Sequence, residues 1–253
     1  MIKGILMDLD GTVYRGGQAI PGAAAFINRL HAERFKYLFV TNRSNRTPKT
    51  VCGQLRSFGI PCEVDKVLTS AQATARYLQR GSVFYIGGEG LLEALKEAQM
   101  TIKEEGPDYV VVGYDPEIDY TKLEKASRLI RAGAKFIATN PDKVVHTSSG
   151  LSPGNGAIVA AIAVASGVEP IFIGKPNRAI IDIALEQFKL SRDESILVGD
   201  NLETDIMAGI NAGIRTALIL TGVSSREDVA SATAKPTWIV KDYNELERLI
   251  FEA

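Results

Sequence analysis

The chain has 253 residues, 45% of them hydrophobic and 23% charged, a globular composition that excludes a disordered or collagen-like protein. Its 29 Lys and Arg against 30 Asp and Glu leave a net charge of −1, so no basic excess exists to hold nucleic acid or an anionic membrane. Two cysteines, Cys52 and Cys62, and two separated histidines, His31 and His146, exclude a disulfide framework, a Cys-rich zinc site and an HExxH centre.

The apolar run that ends at Met7 meets Asp8 too soon for a signal peptide or membrane anchor, and a cytoplasmic location is the expectation. The pattern predicts a strand over 2–7, a helix over 21–34 and a strand over 37–41. A further helix starts at Thr47-Pro48, with Pro at its first position, and ends near Gly59. Strands follow over 83–86, 109–112 and 135–138, with helices over 89–98 and 120–131 between them. Apolar runs at 170–173, 196–198, 216–220 and 237–240 continue the series, with helices over 177–189, 203–212 and 242–251. Short strands apolar on both faces, separated by helices, predict an α/β fold with a parallel sheet covered on both sides. At about 100–200 residues per domain, the length suits two domains better than three.

In such sheets ligands gather at the carboxyl ends of the strands. The first strand gives out into Asp8-Leu9-Asp10-Gly11-Thr12 and the second into Thr41-Asn42. The run at 171–173 leads to Gly174-Lys175-Pro176, and that at 196–198 to Gly199-Asp200-Asn201 and then Asp205. Alternation would send Asp8 and Asp10 to one side. Buried carboxylates repel and need a proton or a cation. With no softer ligand nearby, the hard cation Mg²⁺ suits Asp8, Asp10, Asp200 and Asp205. Thr41, Asn42 and Lys175 add donors and one positive charge, a set suited to a phosphoryl group, with an Asp as nucleophile.

These segments resemble motifs one to four of the haloacid dehalogenase (HAD) superfamily, and more narrowly its subfamily IIA, the NagD-like and 4-nitrophenylphosphatase-like enzymes. Val40-Thr41-Asn42-Arg43-Ser44-Asn45-Arg46-Thr47-Pro48, Ala138-Thr139-Asn140-Pro141-Asp142 and Pro153-Gly154-Asn155-Gly156 extend the likeness over nearly the whole chain. Arg43 and Asn45 depart from the usual Asn and Ser. The resemblance implies a Rossmann-like core interrupted by an inserted α/β cap: core at 1–79, cap at 80–170, core again at 171–253. It implies Asp8 as nucleophile and Asp10 as the acid and base. It implies Mg²⁺ on the Asp8 side chain, the Asp10 carbonyl and Asp200, with Asp205 nearby, and the phosphoryl group held by Thr41, Asn42 and Lys175. Arg43 in the same loop, and Asn140 and His146 in the cap, become candidates for substrate contact. The implied reaction is hydrolysis of a small phosphomonoester through an aspartyl phosphate, with 4-nitrophenyl phosphate as an artificial substrate. A homodimer through the cap is also in keeping with the subfamily.

Two other patterns are set aside. Gly150-Leu151-Ser152-Pro153-Gly154 matches GxSxG, yet the residue after Ser is proline, which has no N–H for an oxyanion hole. Gly154-Asn155-Gly156 lacks the last glycine of a dinucleotide fingerprint. The sequence leaves open a phosphomutase or phosphotransferase of the same superfamily, and a non-enzymatic receiver-like phosphoprotein, against which the large insert argues. It does not distinguish among sugar phosphates, nucleotides, phosphoglycolate and pyridoxal phosphate.

Overall fold

A computed structural model describes residues 2–147 and 150–252, without the side chains of His146 and Thr147. The chain forms two compact units, one of residues 1–41, 49–68 and 175–253, the other of residues 42–48 and 69–174.

The first unit carries a sheet in the order Trp238–Val240, Arg215–Ile219, Ser195–Gly199, Gly4–Met7, Lys36–Thr41, Val67–Thr69. Gly4–Met7 runs parallel to both neighbours, with Met7 opposite Val198 on one side and Phe39 on the other. All four of its residues are buried, as are all of Ser195–Gly199, which is why neither strand shows polar alternation. The chain builds outward from Gly4–Met7 in both directions. The crevice beside this strand is therefore a topological switch point, the usual ligand position of open α/β sheets.

One face of the sheet buries Ile5, Met7, Phe39, Val198 and Ile219 against Phe26, Ile27 and Leu30 of helix Ala23–Ala32 and Tyr243 and Leu246 of helix Tyr243–Phe251. Those helical residues recur at three- and four-residue spacing, the stripe that commits each helix to the sheet. The two cysteines form a single disulfide, Cys52–Cys62, inside the same core and tie helix Pro48–Ser57 to the segment that follows it.

The second unit has its own five-stranded parallel sheet, in the order Ile171–Phe172, Lys135–Ala138, Tyr109–Val112, Ser82–Ile86, Thr101–Ile102. Helices Tyr120–Arg131 and Asn155–Ser166 pack on it through Ala126, Leu129, Ile130, Ile158, Val159 and Ile162. An antiparallel hairpin, Val144–Thr147 with Gly150–Pro153, lies against helix Asn155–Ser166. Among the described residues no helix is long and apolar enough to cross a membrane.

Two elements fall elsewhere than the sequence suggests. The apolar run near 171, expected to open the second part of the core, pairs with Lys135–Ala138 as an edge strand of the second sheet. Residues 70–78, expected within the first part of the core, form helix Ser70–Leu78 of the second unit, where it lies against helix Glu89–Glu97. Short apolar runs carry no information about which of two parallel sheets they join.

Candidate active site

Three neighbouring strands of the first sheet deliver the site. Gly4–Met7 ends one residue before Asp8, Lys36–Thr41 ends on Thr41, and Ser195–Gly199 ends one residue before Asp200. Asp8, Thr41 and Asp200 are all buried, with Asp200 only 1% exposed. Asp205 is reached through a five-residue π-helical turn, Leu202–Ile206, that precedes helix Met207–Ala212. Such turns are rare and are found frequently at functional sites. The turn brings the Asp205 side chain back onto Gly199, where any Cβ would collide with it.

Asp8, Asp200 and Asp205 each offer a carboxylate oxygen within 4.8 Å of the others. Lys175, itself 2% exposed, places its Nζ against two of these carboxylates. It pairs with Asp8 Oδ1, donates to Asp205 Oδ1 at 2.6 Å and to the Val40 carbonyl at 3.1 Å. Burial works against its charge, but Asp205 and Asp8 outweigh it, so the ammonium is held well above its ordinary range. Burial, reinforced by Asp205 and Asp200 and opposed by Lys175, pushes the Asp8 carboxyl upward. Burial and then Asp205 push Asp200 up to about 6, although the Val223 N–H and Thr12 hydroxyl favour its charge. One ammonium does not balance three carboxylates. At about 5 Å and an effective dielectric near 20, each like-charge pair costs about 3 kcal/mol. The cluster is thus built to receive positive charge, and its all-oxygen donors match a hard divalent cation.

The other candidates fall into separate settings. Asp10 lies beyond the regular strand, and its side chain is exposed where that of Asp8 is buried. Strand alternation does not extend past Met7, so the expectation that the pair share one side has no strand to act through. Asn42, Arg43 and Asn140 belong to the second unit. Asn42 donates from Nδ2 to Asp142 Oδ1 at 3.0 Å, and its carbonyl accepts from Asn140 Nδ2 at 2.8 Å and Ser70 Oγ at 2.6 Å. Asn140 therefore acts on the backbone of Asn42. Arg43 is half-buried in the same loop. His146 lies on a hairpin strand, with its side chain outside the described residues.

Thr12 and Val223 donate to Asp200, and Thr221 and Tyr243 to the Gly11 and Thr12 carbonyls; of these only Thr12 lies in a motif the sequence marks out. Thr12 was visible within the DxDGT string. Thr221-Gly222-Val223 follows an apolar strand, as the chosen motifs do, but has no charged group to draw notice.

A strand-end nucleophile candidate beside two more aspartates and a buried lysine, at the switch point of a parallel sheet, defines a HAD-type hydrolase. Residues 5–101 match the family model of haloacid dehalogenase-like hydrolases, and residues 172–246 match a second, HAD-hydrolase-like model. The chain is 46% identical over 252 residues to an acid sugar phosphatase of Staphylococcus epidermidis, covering 96% of this chain and 97% of that one. It is 44% identical over 247 residues to the 5'-nucleotidase YutF of Bacillus subtilis, covering 96% of each. The solved structure of NagD from Escherichia coli K-12 superposes with a TM-score of 0.91 at 36% identity, covering 96% of this chain and 98% of that one. The chain belongs to the haloacid dehalogenase-like hydrolases, in the NagD-like subfamily IIA. With that membership comes the activity class of a phosphoric monoester hydrolase.

Proposed function

We propose that the protein hydrolyses small phosphomonoesters with Mg²⁺ through an aspartyl phosphate on Asp8. The observation that carries this reading is the buried trio of carboxylates within 4.8 Å of one another, in excess over the Lys175 ammonium. Asp8, Asp200 and the Asp10 carbonyl would hold the ion, with Asp205 beside them. When bound, Mg²⁺ supplies neutralisation of the phosphoryl oxygens.

Asp8 attacks phosphorus in line, forming a P–O bond as the bond to the leaving alcohol breaks. Asp10, exposed and so able to meet substrate and water, gives its proton to that alcohol. It then takes a proton from water, which attacks phosphorus, breaks the bond to Asp8 and releases phosphate. Thr41, the Asn42 backbone and Lys175 hold the transferring group, with Lys175 also countering the charge of Asp8. Asn140 contributes by fixing Asn42, while Arg43 and His146 meet the remainder of the substrate.

The second unit serves this reading as the cap that excludes water. The names of the staphylococcal and Bacillus relatives favour a sugar phosphate or a nucleoside monophosphate as substrate. Phosphorylated metabolites are retained in the cytoplasm, which is the location that goes with this activity. A homodimer through the second unit belongs to the same reading, because helix Asn155–Ser166 turns Ala157, Ala160, Ala161, Val164 and Ala165 outward with no charge among them.

Phosphate release from 4-nitrophenyl phosphate and a panel of sugar phosphates and nucleoside monophosphates tests the proposal. Turnover is expected with Mg²⁺ and is lost in EDTA. Asp8→Asn is expected to lower kcat by more than about 1,000-fold. Equal turnover in EDTA overturns the metal, and equal turnover by Asp8→Asn overturns the nucleophile.

A further inference from the structure

The Asp200 carboxylate is held by residues distant from it in sequence. Its Oδ1 accepts from the Thr12 hydroxyl at 3.1 Å and its Oδ2 from the Val223 N–H at 2.7 Å. Its own carbonyl accepts from the Ser224 N–H at 3.0 Å. Two glycines make room for it, since a Cβ at either Gly11 or Gly222 would overlap the carboxylate. Gly11 also has φ of +85°, where a side chain would be strained.

The peptides that carry Thr12 are pinned in turn. The Thr221 hydroxyl donates to the Gly11 carbonyl at 2.7 Å, and the Tyr243 hydroxyl donates to the Thr12 carbonyl at 2.8 Å. Tyr243 is 2% exposed and packs against Phe26 with ring centroids 5.5 Å apart, so its hydroxyl has little freedom to leave. Burial, with Asp8 and Asp200 nearby, keeps that hydroxyl protonated and a donor.

We propose that Thr221, Gly222 and Tyr243 are positioning residues that set the direction in which the Asp200 carboxylate faces a bound cation. A donor on each oxygen fixes the plane of the carboxylate and leaves defined lone pairs for the metal. Gly222 allows the Val223 N–H to approach, and Thr221 and Tyr243 hold the turn that presents Thr12. Partners of this kind around a metal ligand affect affinity by about 10–100-fold. The inference rests on the Mg²⁺ reading given above.

Isothermal titration with Mg²⁺ alone, on wild type and on Gly222→Ala, Thr221→Val, Thr221→Ser and Tyr243→Phe, tests it. The expected rise in Kd is about 10–100-fold for Gly222→Ala and about 10-fold for Thr221→Val and Tyr243→Phe, with Thr221→Ser close to wild type. Thermal unfolding in EDTA, run in parallel, is expected to show near wild-type stability for the two Thr221 variants. Variants that bind Mg²⁺ as wild type does overturn the positioning role and leave the metal reading standing, whatever their stability in EDTA. A Thr221→Val loss that Thr221→Ser does not rescue also overturns the role of the hydroxyl. A wild type that binds no Mg²⁺ overturns the metal reading and the positioning toward it together.

Discussion

Lys175 and Asp200 show how burial and charge oppose each other in this site. Lys175 is buried, and Asp8 and Asp205 pair with its ammonium. Removing one partner of a buried ion pair typically costs about 3–5 kcal/mol, because the other charge stays behind. Lys175→Met is expected to lose stability of that order in urea unfolding, and added Mg²⁺ should recover part of it. A loss below about 1 kcal/mol would show that the carboxylates neutralise themselves by protonation. Asp200 ordinarily titrates at 3.8 and is raised to about 6 in the fold. Between those values the folded protein holds a proton that the unfolded chain has lost, so stability from this group is present below about pH 4 and is gone above about pH 6. Under the proposed Mg²⁺ reading, a divalent cation would take the place of that proton once the carboxylate ionises. The gain in Tm on adding Mg²⁺ is therefore expected to be larger at pH 7.5 than at pH 5, and an equal gain at both would exclude Asp200 as a ligand.

At the scale of elements, helix Asn155–Ser166 begins with a residue that serves the loop before it. Asn155 is 1% exposed, and its Nδ2 donates to the Asn140 carbonyl at 2.8 Å, with longer bonds to Val112 O and Thr139 Oγ1. Asn155→Ala leaves the Asn140 carbonyl without this donor, and the expected loss is about 1–3 kcal/mol in chemical denaturation. An unchanged midpoint would mean that the loop around Asn140 is held by its other bonds alone. The sequence pattern located most strands and helices to within a few residues, since burial of an apolar stripe leaves a period that survives in the chain. Helices Tyr120–Arg131 and Ala23–Ala32 are of this kind. The hairpins Tyr14–Arg15 with Gln18–Ala19 and Val144–Thr147 with Gly150–Pro153 fall outside the expected strands, because their sequences carry no continuous apolar run. Helix Ser70–Leu78 carries a capping box, Thr69 with Gln72, a start signal that is present in the sequence itself. The π-helical turn at Leu202–Ile206 was read as ordinary helix, since one extra residue in a turn has no signature in composition.

At the scale of the whole molecule, the chain leaves one unit and returns to it, so each unit depends on segments far apart in sequence. Segment 42–48 joins the second unit while Thr41 and Lys49 stay in the first. The uncharged outer face of helix Asn155–Ser166 exposes Val164 by 87%. If that face joins two copies, Val164→Glu should convert a dimer to a monomer in analytical ultracentrifugation, with turnover per site retained. A monomeric wild type would leave the face without this role.

The candidate site was legible in the chain because its residues follow strand ends: Asp8, Asp10, Thr41, Lys175, Asp200 and Asp205 each stand beside an apolar run or a turn residue. The fold class was legible for the same reason, as hydrophobic burial leaves a local pattern. Which carboxylates meet depended on long-range pairing. Asp8 and Asp205 come together on Lys175, and Asp200 receives Thr12 and Val223, through strand neighbours that periodicity does not specify. The assignment of 171–172 to the second sheet was decided the same way. So was the part played by Gly222 and Tyr243, since a missing Cβ or a remote hydroxyl acquires meaning only when the folded chain brings Asp200 and the Thr12 turn against it.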